Sequence, residues 1–280
     1  MSVAIMMNKG LSLRKALASI GASRGSYYYR PTKTRSDSGR LRDSSMLAAI
    51  RGLALRKPVY GSRMMAARLS KELHRPVNRK LVQHAFRIMG WTIPQMTKKQ
   101  LIGATHEKPK PVSINEDWEA DFTYVWCGVD RWCYLFSVLD IFSREWIAYE
   151  FSPNASKENA IASAVKAVER HPEASGKVRL WSDNGPQYIS EAFEESVSAL
   201  GLEHKYIAYH KPEDDPYIES FHGRLKREYI WTRDFKTFRE AEQAMVDAFV
   251  DYNRDRPHSS LGYKSPYEFL ASINGVTQQR

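Results

Sequence analysis

The chain has 280 residues, which is long for one domain and comfortable for two, and its 42 Lys and Arg against 32 Asp and Glu give a net charge of +10. This charge indicates a polyanionic partner, while the two cysteines, Cys127 and Cys133, exclude a four-ligand zinc site and suit a reducing cytoplasm. The apolar run at 1–7 is too short to span a membrane and lacks a cleavage site, so we expect a cytoplasmic protein with no membrane partner.

Charge is divided unevenly along the chain. Residues 1–110 contain 23 Lys and Arg against 4 Asp and Glu, which leaves 19 basic and 28 acidic residues in 111–280. A surface with mixed charges would not usually divide in this way. The pattern therefore favours a front half that binds nucleic acid and a back half that bears carboxylates, over the alternative of a basic solvated face.

The basic half begins with a short helical stretch. Residues 11–20 have apolar side chains at helical spacing and stop at Gly21, which predicts a small helix-turn-helix-like segment within 1–30. The polar residues 31–44 predict a linker.

A second pair of helices is predicted in a helix-turn-helix-like domain at 45–95. One helix starts at Ser62, and Asn78 caps the next. The second helix is expected to expose residue types that reach phosphates and base edges in a major groove, namely Arg79, Lys80, His84 and Arg87. A packed pair of helices with a solvated basic face remains the alternative.

The pattern changes after a basic linker at 96–114. Three strand-like runs, a helix, a strand, a helix, a strand and a helix then follow, the order βββαβαβα of an RNase H-like domain. The predicted fold class is thus α/β, with a mixed five-stranded sheet and flanking helices at 115–270, preceded by the all-α helix-turn-helix region. Residues 271–280 are assigned to a tail.

Three acidic residues have surroundings that suit metal-dependent chemistry on phosphodiesters. Asp121 lies in a strand, on the face opposite Phe122, where a carboxylate is costly without a partner. Asp183 ends another strand, where open sheets commonly build sites, and Glu219 falls in the first turns of a helix. Each also has a structural explanation, as an edge-strand acid, a turn residue and a helix-dipole partner respectively.

The helix of Glu219 also carries a cation on the same side. Lys226 lies seven residues after Glu219, about 20° away around the helix axis, where it could hold a substrate phosphate. Lys226 and Arg227 as ordinary surface charges are equally compatible with this spacing.

Taken together, these motifs resemble the integrase-like transposases of the insertion-sequence-three family, relatives of retroviral integrases. Between Asp183 and Glu219 lie 35 residues, the separation of the family's D,D(35)E signature. The resembling segments are Trp118-x-x-Asp121-x-Thr123-Tyr124, Ser182-Asp183-Asn184-Gly185, Tyr217-Ile-Glu219-Ser-Phe221 with Lys226, Tyr60-Gly61-Ser-Arg63, and the tail motif from Asn253 to Pro266. They extend over nearly the whole chain.

The resemblance implies a DNA transposase in which Asp121, Asp183 and Glu219 hold two Mg²⁺ ions, with Mn²⁺ able to substitute, for cleavage and strand transfer by in-line displacement. It also implies double-stranded DNA as partner, at element ends and target, a homo-oligomer on that DNA, and an upstream-frame OrfA product or OrfAB fusion. The expected DNA-binding residues are Arg63, Arg79, Lys80, Arg87, Lys226 and Arg227.

Three positions depart from the family pattern. Asp215 stands where Asn is expected, His222 replaces another side chain, and Arg63 is followed by Met64 instead of a basic residue. An RNase H-like nuclease that cuts without joining, and a non-catalytic DNA-binding regulator of transposition, remain as alternative functions.

Overall fold

The structure is a computed structural model that describes residues 6–7, 10, 12–22, 28, 44–91, 111–207 and 216–277. It divides into two compact units, Met1–Leu47 and Ala48–Arg280. In the first unit, helix α1 spans Leu13–Ser19, inside the predicted helical stretch, and buries Ala16 and Leu17. Most of the other residues of the predicted segment at 1–30, and residues 31–43 of the predicted linker, lie outside the described residues.

The remaining helices of the described residues are α2 Ser44–Arg56, α3 Ser62–Glu72, α4 Arg79–Ile88, α5 Lys157–Arg170, α6 Glu191–Ala199, α7 Pro216–Leu225, α8 Phe238–Arg254 and α9 Pro266–Thr277. A π-helical turn, Lys226–Ile230, directly continues α7. The strands are β1 Asp117–Trp126, β2 Trp132–Asp140, β3 Trp146–Ser152, β4 Arg179–Ser182 and β5 Glu203–Tyr206. Within the described parts of the chain, no helix is both long and apolar enough to cross a membrane.

The five strands form one mixed sheet in the order β3-β2-β1-β4-β5. β1, β2 and β3 are antiparallel neighbours, whereas β4 runs parallel to β1 and to β5. The β1–β4 register is fixed by the buried Asp117, whose carboxylate accepts two 2.7 Å hydrogen bonds from Arg179 and one from the Trp181 indole, also 2.7 Å. The predicted fold class, an RNase H-like domain with a helical region before it, is confirmed.

Alternation along the strands gives the sheet two covered faces. Trp118 lies in a core with residues of α5 and α6, whereas Val125 and Trp146 lie in a core with residues of α7 and α8. Both tryptophans are fully buried. Burial of a large apolar side chain contributes about 1.5–3 kcal/mol, so the sheet is held from both sides.

Helices α3 and α4 are the pair predicted from the sequence. The Asn78 side chain caps α4 by accepting a hydrogen bond from Lys80 N at 2.8 Å, and Gly90, with φ +68°, lies just beyond the end of α4. Helix α2 is not among the predicted elements. The prediction that His84 is exposed is wrong, because His84 is only 7% exposed, so the buried part of α4 extends beyond the face of Val82 and Ala85.

Ion pairs connect these front helices to the C-terminal helices. Lys57, just after α2, pairs with Asp251 of α8 at 2.6 Å, and Arg68 of α3 pairs with Asp255 at 2.8 Å. Lys71 of α3 pairs with Glu268 of α9. Residues 48–91 are therefore part of one compact unit with the sheet, and the division into separate domains at 45–95 and 115–270 stays a prediction. Helix α9 continues to Thr277, within the stretch that the sequence assigns to a tail.

Candidate active site

Asp121 lies in the middle of β1 and faces helix α7. His222 of α7 places its Nδ1 3.3 Å from Asp121 Oδ2, and the His222 side chain is 7% exposed. Two residues earlier in β1, Glu119 Oε2 accepts a hydrogen bond from Ile218 N at 2.6 Å. These two contacts fix the start of α7 against β1. They also show that His222, whose place the sequence left open, is buried against Asp121.

Asp183 lies beside Asp121 at the end of the neighbouring strand. Ala120 of β1 pairs with Ser182 of β4, so Asp121 and Asp183 each follow a paired residue on parallel strands, and such strands lie about 4.8 Å apart. Asp183 Oδ1 accepts a hydrogen bond from Gly185 N at 2.9 Å. A Cβ at position 185 would lie 2.9 Å from the same oxygen, so the Asp183 carboxylate would have to shift to admit a side chain there.

A buried hydrogen-bond chain lies behind Asp183. The Ser182 hydroxyl is 2.9 Å from His204 Nε2 and 3.0 Å from the Asp183 carbonyl oxygen, and His204 Nδ1 is 2.9 Å from Glu194 Oε1. Burial lowers the pKa of His204, so the neutral ring donates from Nδ1 to Glu194. Because Ser182 is fully buried, this chain is suited to holding the strand end that carries Asp183 and not to nucleophilic attack.

Glu219 lies in the first turn of α7 and is exposed. Partial burial raises the pKa of Glu219 and the negative charge of Asp121 raises it further, while His222 lowers it. The pKa of Asp183 is likewise raised by burial and then by Asp121, against the hydrogen bond from Gly185. Asp121 is thus within electrostatic reach of both other acids.

The donor atoms at this edge suit a hard divalent cation. Asp183 Oδ1 and Gln187 Oε1 lie 2.9 and 3.2 Å from the space that a Cβ of residue 185 would fill, and Gln187 Oε1 is buried with no hydrogen-bond partner among the described residues. Mg²⁺ prefers oxygen ligands and uses only one or two carboxylates per ion. Within the described ranges, however, no three His, Cys, Asp or Glu residues lie close enough together to form a complete metal site. The oxygen ligands at this edge are of the kind that binds Mg²⁺. The acidic side chains would have to come closer together to enclose an ion.

The predicted DNA-binding residues lie in two places. Those of the front helices, Arg63 of α3 and Arg79, Lys80 and Arg87 of α4, are exposed. Lys226 and Arg227 begin the π-helical turn that continues α7, where Lys226 is half-buried and Arg227 is exposed. Only this second group is close in sequence to a predicted catalytic acid, Glu219.

Sequence reasoning missed the supporting residues of the site. His204, Glu194 and Gln187 are ordinary polar residues in the sequence, and no spacing rule connects them to Asp183. Their roles depend on the parallel pairing of β4 with β5 and on the loop after β4. The motif Ser182-Asp183 is the one signal that pointed to this region.

Comparison with known proteins finds related sequences. Two family models, each described as an integrase core domain, match residues 112–212 and 200–266. The insertion element IS407 uncharacterized 31.7 kDa protein of Burkholderia multivorans is 29% identical over 271 residues, which are 96% of this chain and 94% of that protein. The transposase InsD for insertion element IS2A/D/F/H/I/K of Escherichia coli is 27% identical over 252 residues, or 85% and 83% of the two chains.

The fold has a counterpart among solved structures. A chain in the cryo-EM structure of the simian T-cell lymphotropic virus intasome in complex with PP2A regulatory subunit B56 gamma superposes with a TM-score of 0.51 over 73% of each chain, at 17% identity. That likeness concerns the fold alone, whereas the integrase core matches and the insertion-element relatives concern the sequence. Residues 112–266 therefore match integrase core domain models, and the chain is similar along most of its length to bacterial insertion-element proteins, among them a transposase.

Proposed function

We propose that this chain is a DNA transposase that cleaves one strand at each end of an insertion element and joins the freed 3′-hydroxyl to another phosphodiester. The observation that carries the proposal is the position of Asp121, whose charge acts on both Asp183 and Glu219 where β1 and β4 approach α7. A carboxylate that raises the pKa of two others belongs to a site that a cation would stabilise. Together with the family, this favours metal-dependent phosphodiester chemistry.

Asp121, Asp183 and Glu219 would hold two Mg²⁺ ions, or Mn²⁺ in their place, which supply Lewis acidity at the attacking and leaving oxygens of an in-line displacement. In the cleavage step water forms a bond to phosphorus and the bond to the 3′-oxygen breaks, which leaves a 3′-hydroxyl. In the joining step that hydroxyl forms the new bond and displaces the 3′-oxygen of a target strand. The number of phosphodiester bonds is conserved in the joining step.

The remaining residues of the site position these acids. His222 contacts Asp121 Oδ2 and keeps one rotamer of that carboxylate, and the Ser182–His204–Glu194 chain holds the strand end that carries Asp183. Lys226 lies on the Glu219 side of the helix and provides a positive charge for a backbone phosphate.

The front helices supply the DNA-binding part of the proposal. Arg63, Arg79, Lys80 and Arg87 are exposed, and the charge of residues 1–110 suits the phosphate backbone. We include double-stranded DNA at element ends and target, a homo-oligomer on that DNA, and an upstream-frame OrfA product or OrfAB fusion as the proposed partners.

The test compares acid-to-amide variants of the full chain on a labelled duplex that carries the inverted repeat of its element, with Mg²⁺ or Mn²⁺ added. Asp121→Asn, Asp183→Asn and Glu219→Gln should each abolish cleavage and joining while DNA binding is retained. Glu195→Gln and Asp247→Asn change exposed acids on other helices and serve as matched controls with wild-type activity.

Two results would contradict the proposal. Cleaved products without joined strands, under conditions in which the freed 3′-hydroxyl and target DNA are both present, indicate a nuclease. DNA binding with no metal-dependent cleavage by the wild-type chain indicates a non-catalytic regulator. Substantial metal-dependent cleavage by any of the three amide variants would remove that residue from the assignment.

A further inference from the structure

Helix α7 has an outer face that lies between Glu219 and a group of arginines. Ile218, Phe221 and Leu225 are fully buried against the sheet, so the opposite side of the helix faces solvent. Glu219 borders this outer face on one flank. Arg224 lies five residues further, about 140° around the axis, and borders it on the other flank. The two flanks are therefore on opposite sides of the same exposed helical surface.

The middle of the outer face is open and positively charged. Gly223 lies there, and the Arg227 guanidinium is the nearest group to the position of a Cβ on Gly223, at 3.6 Å. A strand backbone could approach the helix closely at this glycine, which adds no side chain of its own, and would meet the Arg227 guanidinium there. The outer face thus offers both space and a cation between its two flanks.

A second arginine reaches the far flank from the turn between β2 and β3. The Arg144 guanidinium stacks over the Tyr217 ring, with Cζ 4.1 Å from the ring centroid. Tyr217 lies seven residues before Arg224, so both are on one stripe of α7. Arg144 and Arg224 are each partly exposed, and neither forms an ion pair with an acid in the described part of the chain. Arg144 and Arg224 therefore lie on the same side of α7, where the charge of Arg144 acts on Arg224.

The local charge balance on this flank is positive. Glu228 lies on the same flank and forms an ion pair with Arg256, whose guanidinium donates hydrogen bonds of 2.6 and 2.7 Å to its carboxylate. His258 Nε2 lies 3.4 Å from Arg256 Nη1 and must accept there, so His258 is neutral. Burial lowers the pKa of Arg224, and the charges of Arg256 and Arg144 lower it further. Three arginines therefore share one carboxylate.

We propose that Arg144 and Arg224 together bind one phosphate of the DNA backbone on the flank of α7 opposite Glu219. A phosphate matches the planar donor array of each guanidinium and would offset the mutual repulsion of the two cations. The DNA strand would then run across the outer face of α7, from this phosphate to the phosphodiester at the acids. The inference rests on the proposed function, which identifies the anion as DNA. It adds a phosphate contact that holds the DNA against α7.

The test measures the salt dependence of DNA binding by the full chain, without divalent cations so that no cleavage occurs. A short fluorescein-labelled DNA duplex is titrated at several salt concentrations by fluorescence anisotropy. The double variant Arg144→Gln with Arg224→Gln removes one phosphate contact, so the slope of log K against log salt should become less steep by about 0.9. Arg144→Lys with Arg224→Lys should retain most of the slope because both charges remain.

The matched control is the double variant Arg233→Gln with Arg239→Gln, which removes two exposed arginines outside α7 and should keep the wild-type slope. Thermal unfolding confirms that each variant is folded before titration. A glutamine double variant that is folded and keeps the wild-type slope overturns the inference, even if its cleavage is slower. Absence of metal-dependent cleavage by the wild-type chain would overturn the proposed function instead. The salt slope is measured without metal, so it tests the phosphate contact independently of cleavage.

Discussion

The ion pair between Glu228 and Arg256 gives the sharpest prediction for stability. The two side chains are 11% and 5% exposed, and their two hydrogen bonds join the π-helical turn after α7 to the segment after α8. Glu228→Gln removes the charge with little change of shape and leaves Arg256 buried near Arg224. Loss of one partner from a buried pair costs about 3–5 kcal/mol, because the other charge remains uncompensated.

The expected result is a decrease of that size in the free energy of unfolding, measured by urea denaturation with tryptophan fluorescence. It corresponds to a fall of roughly 6–20 °C in the unfolding temperature, at about 2–4 °C per kcal/mol for a domain of this size. Replacing both partners, Glu228→Met with Arg256→Met, should recover most of the loss because no charge is left buried. The exposed control Glu195→Gln should stay within about 0.5 kcal/mol of wild type.

Two outcomes would refute this reasoning. A loss below about 1 kcal/mol in Glu228→Gln would mean that water or another group neutralises Arg256 in the folded state. A double methionine variant that is less stable than the single variant would mean that the hydrogen bonds, and not the unpaired charge, dominate the energy at this position.

Two further predictions concern pH and the loop of the site. Burial lowers the pKa of His258 to about 2, from about 6.5 in an unfolded chain, so the unfolded state binds more protons below pH 6.5. The free energy of unfolding should therefore fall as the pH decreases from 6.5, by up to about 1.4 kcal/mol per pH unit. His258→Gln should flatten this slope in denaturation measured between pH 7 and 5. An unchanged slope would contradict the lowered pKa of His258. Gly185→Ala forces a Cβ against Asp183 Oδ1 and should slow cleavage about ten- to a hundredfold without unfolding the chain. Gly52→Ala, where the added methyl meets no atom within 4 Å, is its control, and equal rates in the two variants would exclude a constrained Asp183.

The parts of the fold that follow local rules could be predicted from the sequence. Alternation in the strand of Asp121, the Asn78 cap and the Ser182-Asp183 strand end all depend on residues close together in the chain. The burial of His84 was missed because its polarity suggested exposure, whereas the packing of α4 buries it together with Val82 and Ala85. On a helix that packs on more than one side, the position of a residue predicts its burial better than its polarity does.

The contacts that organise the site could not be predicted in the same way. Tyr217 meets Arg144, and Glu228 meets Arg256, across elements whose packing the sequence pattern leaves undefined. The His204 contact with Ser182 requires the parallel register of β4 and β5, which is set by pairing over distant residues. Such contacts depend on tertiary geometry, so they carry no local periodicity.

The ion pairs between the front helices and the C-terminal helices have a consequence for how this surface tolerates substitution. Lys57, Arg68 and Lys71 each contact an acid of the C-terminal segment. All three pairs are partly exposed, and such a pair contributes about 0–1 kcal/mol, so loss of one of them should weaken the docked arrangement only slightly. Reversal of one charge places like charges together, and a matching reversal of its partner should restore the attraction. Substitutions on this surface are therefore constrained in pairs, and no single residue of it is indispensable.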